Sequence, residues 1–302
     1  LKVSILILPD ADGESPVADD VTRDYILEQA PDSGLYIAVG SGVINDLVKW
    51  VAFLRNAPFI TVPTAASMNG YASANVAATI DGLKVLFHAA ACRAVFADSL
   101  VINNAPDELT SSGLGDVLAK SVSSADWRLN QFVFQDYFCD YSVDLLKDLE
   151  PIYLENPAGI INREPAALKA LFEALFYSSV AMTMTGTSSV ASGGEHLISH
   201  TLDMIASRDR QQHDLHGRQV GVSSILTAAI YEKMMNIESP VFRNAPQKIN
   251  EEFWGSLSPV VSQEYQQKLA RIGEAAAFLA VPENWQTMKD TLQPGLVPAS
   301  RL

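Results

Sequence analysis

The sequence predicts an α/β N-terminal domain built on a parallel sheet, apparently truncated at its start, followed by an all-helical C-terminal domain. Two observations carry that division. Over roughly the first hundred residues, compact apolar runs alternate with stretches of helical periodicity. After about Asn103 the strand-like runs almost vanish, and apolar residues recur every three or four positions. The expected domains are therefore residues 1–103 and 104–302. With 302 residues, 48% of them hydrophobic and 19% charged, the chain can bury sizeable cores and is not expected to be disordered.

The elements follow in order. VSILIL reads as a short buried strand that ends at Pro9 and Asp10. VADDVTRDYILEQA reads as a helix. LYIAVG is a second compact strand, closed by GSG and followed by a helix in VINDLVKWVAFLRN, where Ile44, Leu47, Val51 and Leu54 share a face. PFITVP is the next strand, and strand–helix–strand with tight connections is the βαβ unit of a parallel sheet. AVFADSLVI is expected to add a further strand. In the second half, PAALKALFEALFYSSVAMTMTG opens with Pro165 in a first-turn position and stops at Gly186. SILTAAIYEKMM and SQEYQQKLARIGEAAAFLA continue in the same style, and the proline-containing tail after Gln293 is expected to pack loosely. A start on Leu1 without an initiator Met, directly into a strand-like run, is expected of a chain that lacks part of its native N-terminal segment.

Composition excludes some functions. A net charge of −14 repels phosphate backbones, so nucleic-acid binding is not expected, and any anionic ligand needs a local positive pocket. Cys92 and Cys139, both in apolar surroundings, are expected to be buried free thiols, as in a reducing cytoplasm. No apolar run approaches the ~20 residues of a membrane span, and no signal-peptide pattern is present.

Four of the five histidines, His196, His200, His213 and His216, fall in the stretch SGGEHLISHTLDMIASRDRQQHDLHGRQVG. Neutral imidazole is a common transition-metal ligand, and a catalytic site adds a third protein group and keeps an open position. His196 and His200 share a helix face and suit one cation together, though without the order of an HExxH site. Alternatively His196 pairs with His216, and His200 supports the ligands from outside or serves as proton relay. His213, in a polar run, is expected to be solvated. Asp116, in GLGDVLAK, reads as a helix N-cap between flexible glycines or as the third ligand. One carboxylate and two imidazoles suit zinc first, with nickel or iron as alternatives.

GSGVIND, Gly40 to Asp46, lies between a strand and a helix. It is either an ordinary tight turn or a pyrophosphate cradle at a helix N-terminus, and Asn45 occupies the third glycine position of the full dinucleotide fingerprint. VPTAASMNGYAS, Val62 to Ser73, is small and hydroxyl-rich at a strand's carboxyl end, where open α/β sheets bind ligands; a plain polar loop is the alternative.

Taken together, GSGVINDLVK, PTAASMNGYAS, GLGDVLAK with the following ADW, SGGEHLISH and HGRQVG resemble the sn-glycerol-1-phosphate dehydrogenases. These belong with glycerol dehydrogenase, iron-containing alcohol dehydrogenases and 3-dehydroquinate synthase. The resemblance runs from about Ala38 to Tyr231 and implies a dehydroquinate synthase-like fold, a Rossmann-like domain followed by a helical one. It implies a metal on Asp116, His196 and His216. It implies NAD(H) or NADP(H) at Gly40, Ser41, Gly42 and Asp46, with Thr61, Thr64 and Ser67 lining the nicotinamide side. The implied reaction interconverts dihydroxyacetone phosphate and sn-glycerol 1-phosphate, with His200 relaying a proton. Lys120 is then a counter-charge for the substrate phosphate, or else a structural lysine. A homo-oligomer without a membrane span is expected. Two departures stand out. Family members carry a longer stretch before the glycine motif, and they have Asp where this chain has Asn69, which replaces an acceptor with a donor beside the substrate. The alternatives are a dehydrogenase of unphosphorylated polyols such as glycerol, and a non-catalytic relative.

Overall fold

The computed structural model describes residues 2–10, 15–80 and 83–302. Its N-terminal part is the expected βαβ unit. Helix α1 (Asp20–Gln29) is capped by Asp19, whose side chain accepts from the Thr22 N–H. Strand β1 (Tyr36–Gly40) leads through Ser41 into α2 (Gly42–Leu54) and returns as β2 (Phe59–Pro63). The two strands pair in parallel, from Tyr36 opposite Phe59 to Gly40 opposite Pro63. Helix α2 buries two faces: Leu47 and Val51 pack with Ala18 and Ile26, while Trp50 packs with Val76, Ala78 and Ala89. Val76 and Ala78 belong to β3 (Asn75–Ile80), which pairs antiparallel with β4 (Leu83–His88), and Ala89 follows directly after β4.

From Ser99 onward the described regular structure is helical. Short α3 (Ser99–Asn103) precedes α4 (Asp107–Phe134), a helix of 28 residues that runs through the whole second half. Then come α5 (Asp140–Asp144), α6 (Glu150–Glu155), α7 (Pro157–Ile161) and α8 (Pro165–Thr185), the last ended by Gly186 at φ +67°. Helices α9 (Gly194–Asp209), α10 (His216–Met235), α11 (Glu251–Trp254), α12 (Ser258–Leu279) and α13 (Pro282–Leu292) complete the chain. Leu168, Leu171 and Leu175 of α8 pack on Val117 of α4, and Val122 and Ala125 of α4 pack on Ala228 and Tyr231 of α10 and on Trp285 and Met288 of α13. Each fully buried Leu, Val or Met side chain among them contributes about 1.5–3 kcal/mol.

Several elements differ from expectation. VSILIL forms no strand; Val3, Ile5 and Ile7 are exposed, and no described strand lies beside them to share a ladder. In AVFADSLVI only Val95 bridges, in parallel to Thr61 beside β2, before the chain turns into α3 at Ser99. The hairpin was not expected from the sequence, and residues 81–82 between its strands lie outside the described set. Cys92 and Cys139 are half-buried rather than enclosed. The tail is not loose, since Leu296, Ala299 and Leu302 pack against the α4–α10–α13 core.

Candidate metal centre and cofactor cleft

Close backbone approach builds the centre. Asp116 is not a helix cap; it lies well inside α4 and is 1% exposed. The glycines around it serve packing rather than flexibility. A Cβ on Gly115 would stand 2.1 Å from the Gly217 carbonyl oxygen, and one on Gly217 would stand 1.8 Å from that of Ser112. Helices α4 and α10 therefore cross in direct backbone contact, which brings His216, at the start of α10, over Asp116. Gly113 meets the Ala66 carbonyl in the same way, and Ser112 Oγ donates to the Ser67 carbonyl at 3.1 Å, which draws in the loop after β2.

Among the described residues, Asp116, His196 and His216 form the group able to hold a cation, with one ligand atom of each lying within 4.8 Å of the others. Asp116 Oδ1 is 3.6 Å from His196 Nε2 and 4.0 Å from His216 Nε2. Each ring's other nitrogen is engaged behind it. His196 Nδ1 is 2.7 Å from Glu195 Oε1, and His216 Nδ1 is 3.3 Å from Ser199 Oγ. Outer partners of this kind fix ring orientation and tautomer in metal sites, so donor set and second contacts both fit a divalent cation. Asn69 holds the carboxylate from the loop side through its backbone N–H and its side-chain amide.

The electrostatics are uneven. Burial disfavours a charged His196, but Asp116 and Glu195 on either side outweigh it and raise the ring to about 9. Burial, then the charges of His196 and Lys84, lower His200 to about 4 and push His216 well below its ordinary value. Both of those rings are thus neutral near neutral pH. His200 stands one turn beyond His196 on α9, with ring centroids 6.2 Å from His196 and 6.0 Å from His216.

Behind His196 lies a closed carboxylate pair. Glu195 is fully buried; its Oε1 accepts from the Gly193 N–H at 2.7 Å, and its Oε2 has no partner among the described residues. Asp126 accepts from the Gly194 N–H at 2.6 Å and from the Tyr231 hydroxyl. Burial and the nearby Glu195 charge raise Asp126 above the usual carboxylate value.

A cavity of about 1070 Å³ opens over the three imidazoles. Ser41 and Gly42 at the N-terminus of α2 also line it, with Ser41 making no side-chain cap. Asp46, Ser67 and Asn69 also line it. Asp46 is paired with the fully buried Lys49 at 3.1 Å, and Lys49 donates to the carbonyls of Gly70 at 2.9 Å and Asn75 at 2.7 Å. Ser67 Oγ is 2.9 Å from the Tyr71 hydroxyl, which donates to the Ala65 carbonyl.

Other residues singled out in the sequence are elsewhere. Gly40 packs against Ile44 and is not on the cavity wall. Thr61 is buried with its hydroxyl on Asn45 Oδ1 at 2.8 Å, and Thr64 uses its N–H on the Gly40 carbonyl; neither lines the cavity. Lys120 points the other way, into an ion pair with Glu150 at 2.6 Å, which removes it as a counter-charge for a ligand in the cleft. His213 is not simply solvated: Nδ1 is 3.3 Å from Asp203 Oδ1 and Nε2 is 3.0 Å from Ser207 Oγ. Sequence reasoning missed Lys49, Lys84, Glu195, Ser199 and Asp203. Of these, only Glu195 carried a signal, its adjacency to His196.

Comparison with known proteins identifies a family and a fold. The family model described as iron-containing alcohol dehydrogenase matches residues 7–106. The chain is 33% identical to the glycerol-1-phosphate dehydrogenase (NAD(P)+) of Bacillus velezensis, over 83% of this chain and 65% of that protein. It is 30% identical to the protein of the same name from Geobacillus stearothermophilus, over 97% of this chain and 70% of that protein. The chain thus spans about two thirds of the length of these curated relatives. In fold it is similar to a glycerol dehydrogenase from Schizosaccharomyces pombe, with a TM-score of 0.58 at 21% identity, covering 96% of this chain and 75% of that one.

Proposed function

We propose a function on one ground: the chain belongs to the glycerol-1-phosphate dehydrogenase family, whose fold is that of the iron-containing alcohol dehydrogenases. The reading is a metal-dependent NAD(P)(H) oxidoreductase that interconverts dihydroxyacetone phosphate and sn-glycerol 1-phosphate. The structural observation that supports it is the convergence of Asp116, His196 and His216 at a cavity that the N-terminus of α2 also lines.

On this reading Asp116, His196 and His216 hold the metal, with zinc first and nickel or iron as alternatives. A divalent cation bound there supplies Lewis acidity toward a carbonyl or alcohol oxygen, worth several kcal/mol of transition-state charge stabilisation. A nicotinamide dinucleotide supplies or accepts the hydride. The chain's own residues do the rest. Ser41 and the first N–H groups of α2 offer donors and a positive dipole end to the pyrophosphate. Asn69 fixes the Asp116 carboxylate, Glu195 fixes His196, and Ser199 fixes His216. His200, neutral on the cavity wall, accepts the alcohol proton in oxidation and returns it in reduction. The close crossing of α4 and α10 keeps water from the back of the centre.

The test is metal analysis of the purified chain together with nicotinamide absorbance in the presence of glycerol 1-phosphate or glycerol. Turnover of the phosphorylated substrate that is lost on chelation supports the reading. Absence of both metal and dinucleotide binding removes it.

A further inference from the structure

With Lys120 committed to Glu150, the cleft needs another source of positive charge for a phosphorylated substrate. One ammonium meets the requirement on geometry. Lys84 stands on β4 opposite Thr79 and lines the same cavity as His196, His200 and His216. Its side chain is only 16% exposed. The nearest carboxylate, Asp203 Oδ2 on α9, is 3.6 Å from Nζ, outside the ~2.7–3.2 Å of a hydrogen bond. Among the described residues this is the one ionic contact of the ammonium, and it makes no hydrogen bond. An ammonium has three donors, and leaving them unused in a largely closed site is costly.

Asp203 is itself engaged elsewhere. Its Oδ1 accepts from Gln219 Nε2 at 3.1 Å and faces His213. It therefore anchors the lysine without saturating it. The other cations on the cavity wall are differently placed. Arg218 is half exposed and lies 3.4 Å from Asp214, and Arg210 is exposed at the end of α9. The positive charge of Lys84 is also among the causes that keep His200 and His216 neutral, so the ammonium acts within the same electrostatic neighbourhood as the metal ligands.

We propose that Lys84 binds the phosphomonoester of the substrate and so determines the preference for a phosphorylated over a free polyol. The proposal rests on the functional reading above. Lys84 reaches the cleft from the hairpin, whereas the metal ligands come from α4, α9 and α10. The substrate's anionic end and its reacting carbon are thereby held by different elements of the same cavity wall. In a chain of net charge −14, an enclosed cation also offsets the repulsion met by an incoming dianion.

The experiment uses the metal-loaded full chain and calorimetric titration with glycerol 1-phosphate, inorganic phosphate and glycerol. Lys84→Gln is expected to weaken both phosphate ligands by roughly ten- to a hundredfold, with glycerol unchanged and Lys84→Arg retaining most of the affinity. Asp203→Asn, which removes the lysine's one ionic contact among the described residues, is expected to tighten inorganic phosphate several-fold, a change that damage to the fold would not produce. Wild-type affinity for glycerol 1-phosphate in Lys84→Gln, or the loss appearing in Arg218→Gln instead, overturns the proposal. So does unchanged phosphate affinity in Asp203→Asn. Wild-type protein that binds inorganic phosphate through Lys84 but ignores glycerol 1-phosphate overturns the functional reading and the substrate assignment with it, while retaining an anion site.

Discussion

Asn69 grips Asp116 at both carboxylate oxygens: its backbone N–H donates to Oδ2 at 2.6 Å and its side-chain amide donates to Oδ1 at 3.3 Å. An aspartate in its place would set a second carboxylate against that of Asp116. Asn69→Asp therefore exchanges an attraction for a repulsion in the metal-free protein, at a cost of about 1–3 kcal/mol. A divalent cation relieves that repulsion, so the variant is expected to melt lower than wild type without metal and to gain more from metal. Thermal melts with and without cation check this. Identical metal-free melting temperatures would sink it.

Glu195 is expected to govern metal affinity without touching the metal. Replacing it with Gln removes the charge behind His196 Nδ1 while keeping the shape, and affinity is expected to fall by roughly ten- to a hundredfold. Competition with a chelator measures it. A variant that binds as tightly as wild type would show that His196 needs no carboxylate partner.

Metal uptake is expected to depend on pH in one direction. The cation needs a neutral His196, which in the metal-free protein holds its proton up to about 9. Affinity should rise roughly tenfold per pH unit below that value and flatten above it. Stability of the metal-free chain follows from the same shifts. The raised His196 contributes stability that is complete below 6.5 and lost as pH rises through about 9. His200, lowered from 6.5 to about 4, acts oppositely: the unfolded chain takes up a proton that the folded one refuses, so stability falls as pH drops through that window. His216 adds in the same sense. Chemical denaturation across pH should show a maximum between the two limbs, and a monotonic profile would contradict these environments.

Gly217→Ala is expected to force α4 and α10 apart, because the new methyl would lie 1.8 Å from the Ser112 carbonyl oxygen. Overpacking of this kind costs about 1–3 kcal/mol or more. The metal should be lost along with stability, since Asp116 and His216 lie on the two displaced helices. Retention of full metal content in the folded variant would argue against the crossing as the source of the site.

Much of the fold was legible in the sequence, and the reasons are local. The LYIAVG–helix–PFITVP unit declares itself through two apolar runs around one periodic helix, and α8 through Pro165 and Gly186. VSILIL misled because an apolar run states burial preference, whereas a strand also needs a neighbour to bond with. The β3–β4 pair left a partial signal, since Val76, Ala78 and Ile80 alternate with polar or small residues. Asp116, His196 and His216 were nominated from spacing and resemblance, and the structure brings them together. Their supports were not legible. Whether Lys84 or Lys120 faces the cleft depends on which side of a packed element each occupies, and Asp203, Gln219 and Ser199 meet only after α9 and α10 are docked.

The buried Lys49 has a mechanical consequence. It fastens the Gly70 carbonyl to α2, while the preceding residue, Asn69, fastens the carboxylate in α4. One short stretch of chain thus acts as a strut between the two walls of the cleft. Residues 69 and 70 thereby tie the helix that follows the glycine turn to the ligand carboxylate through two hydrogen bonds.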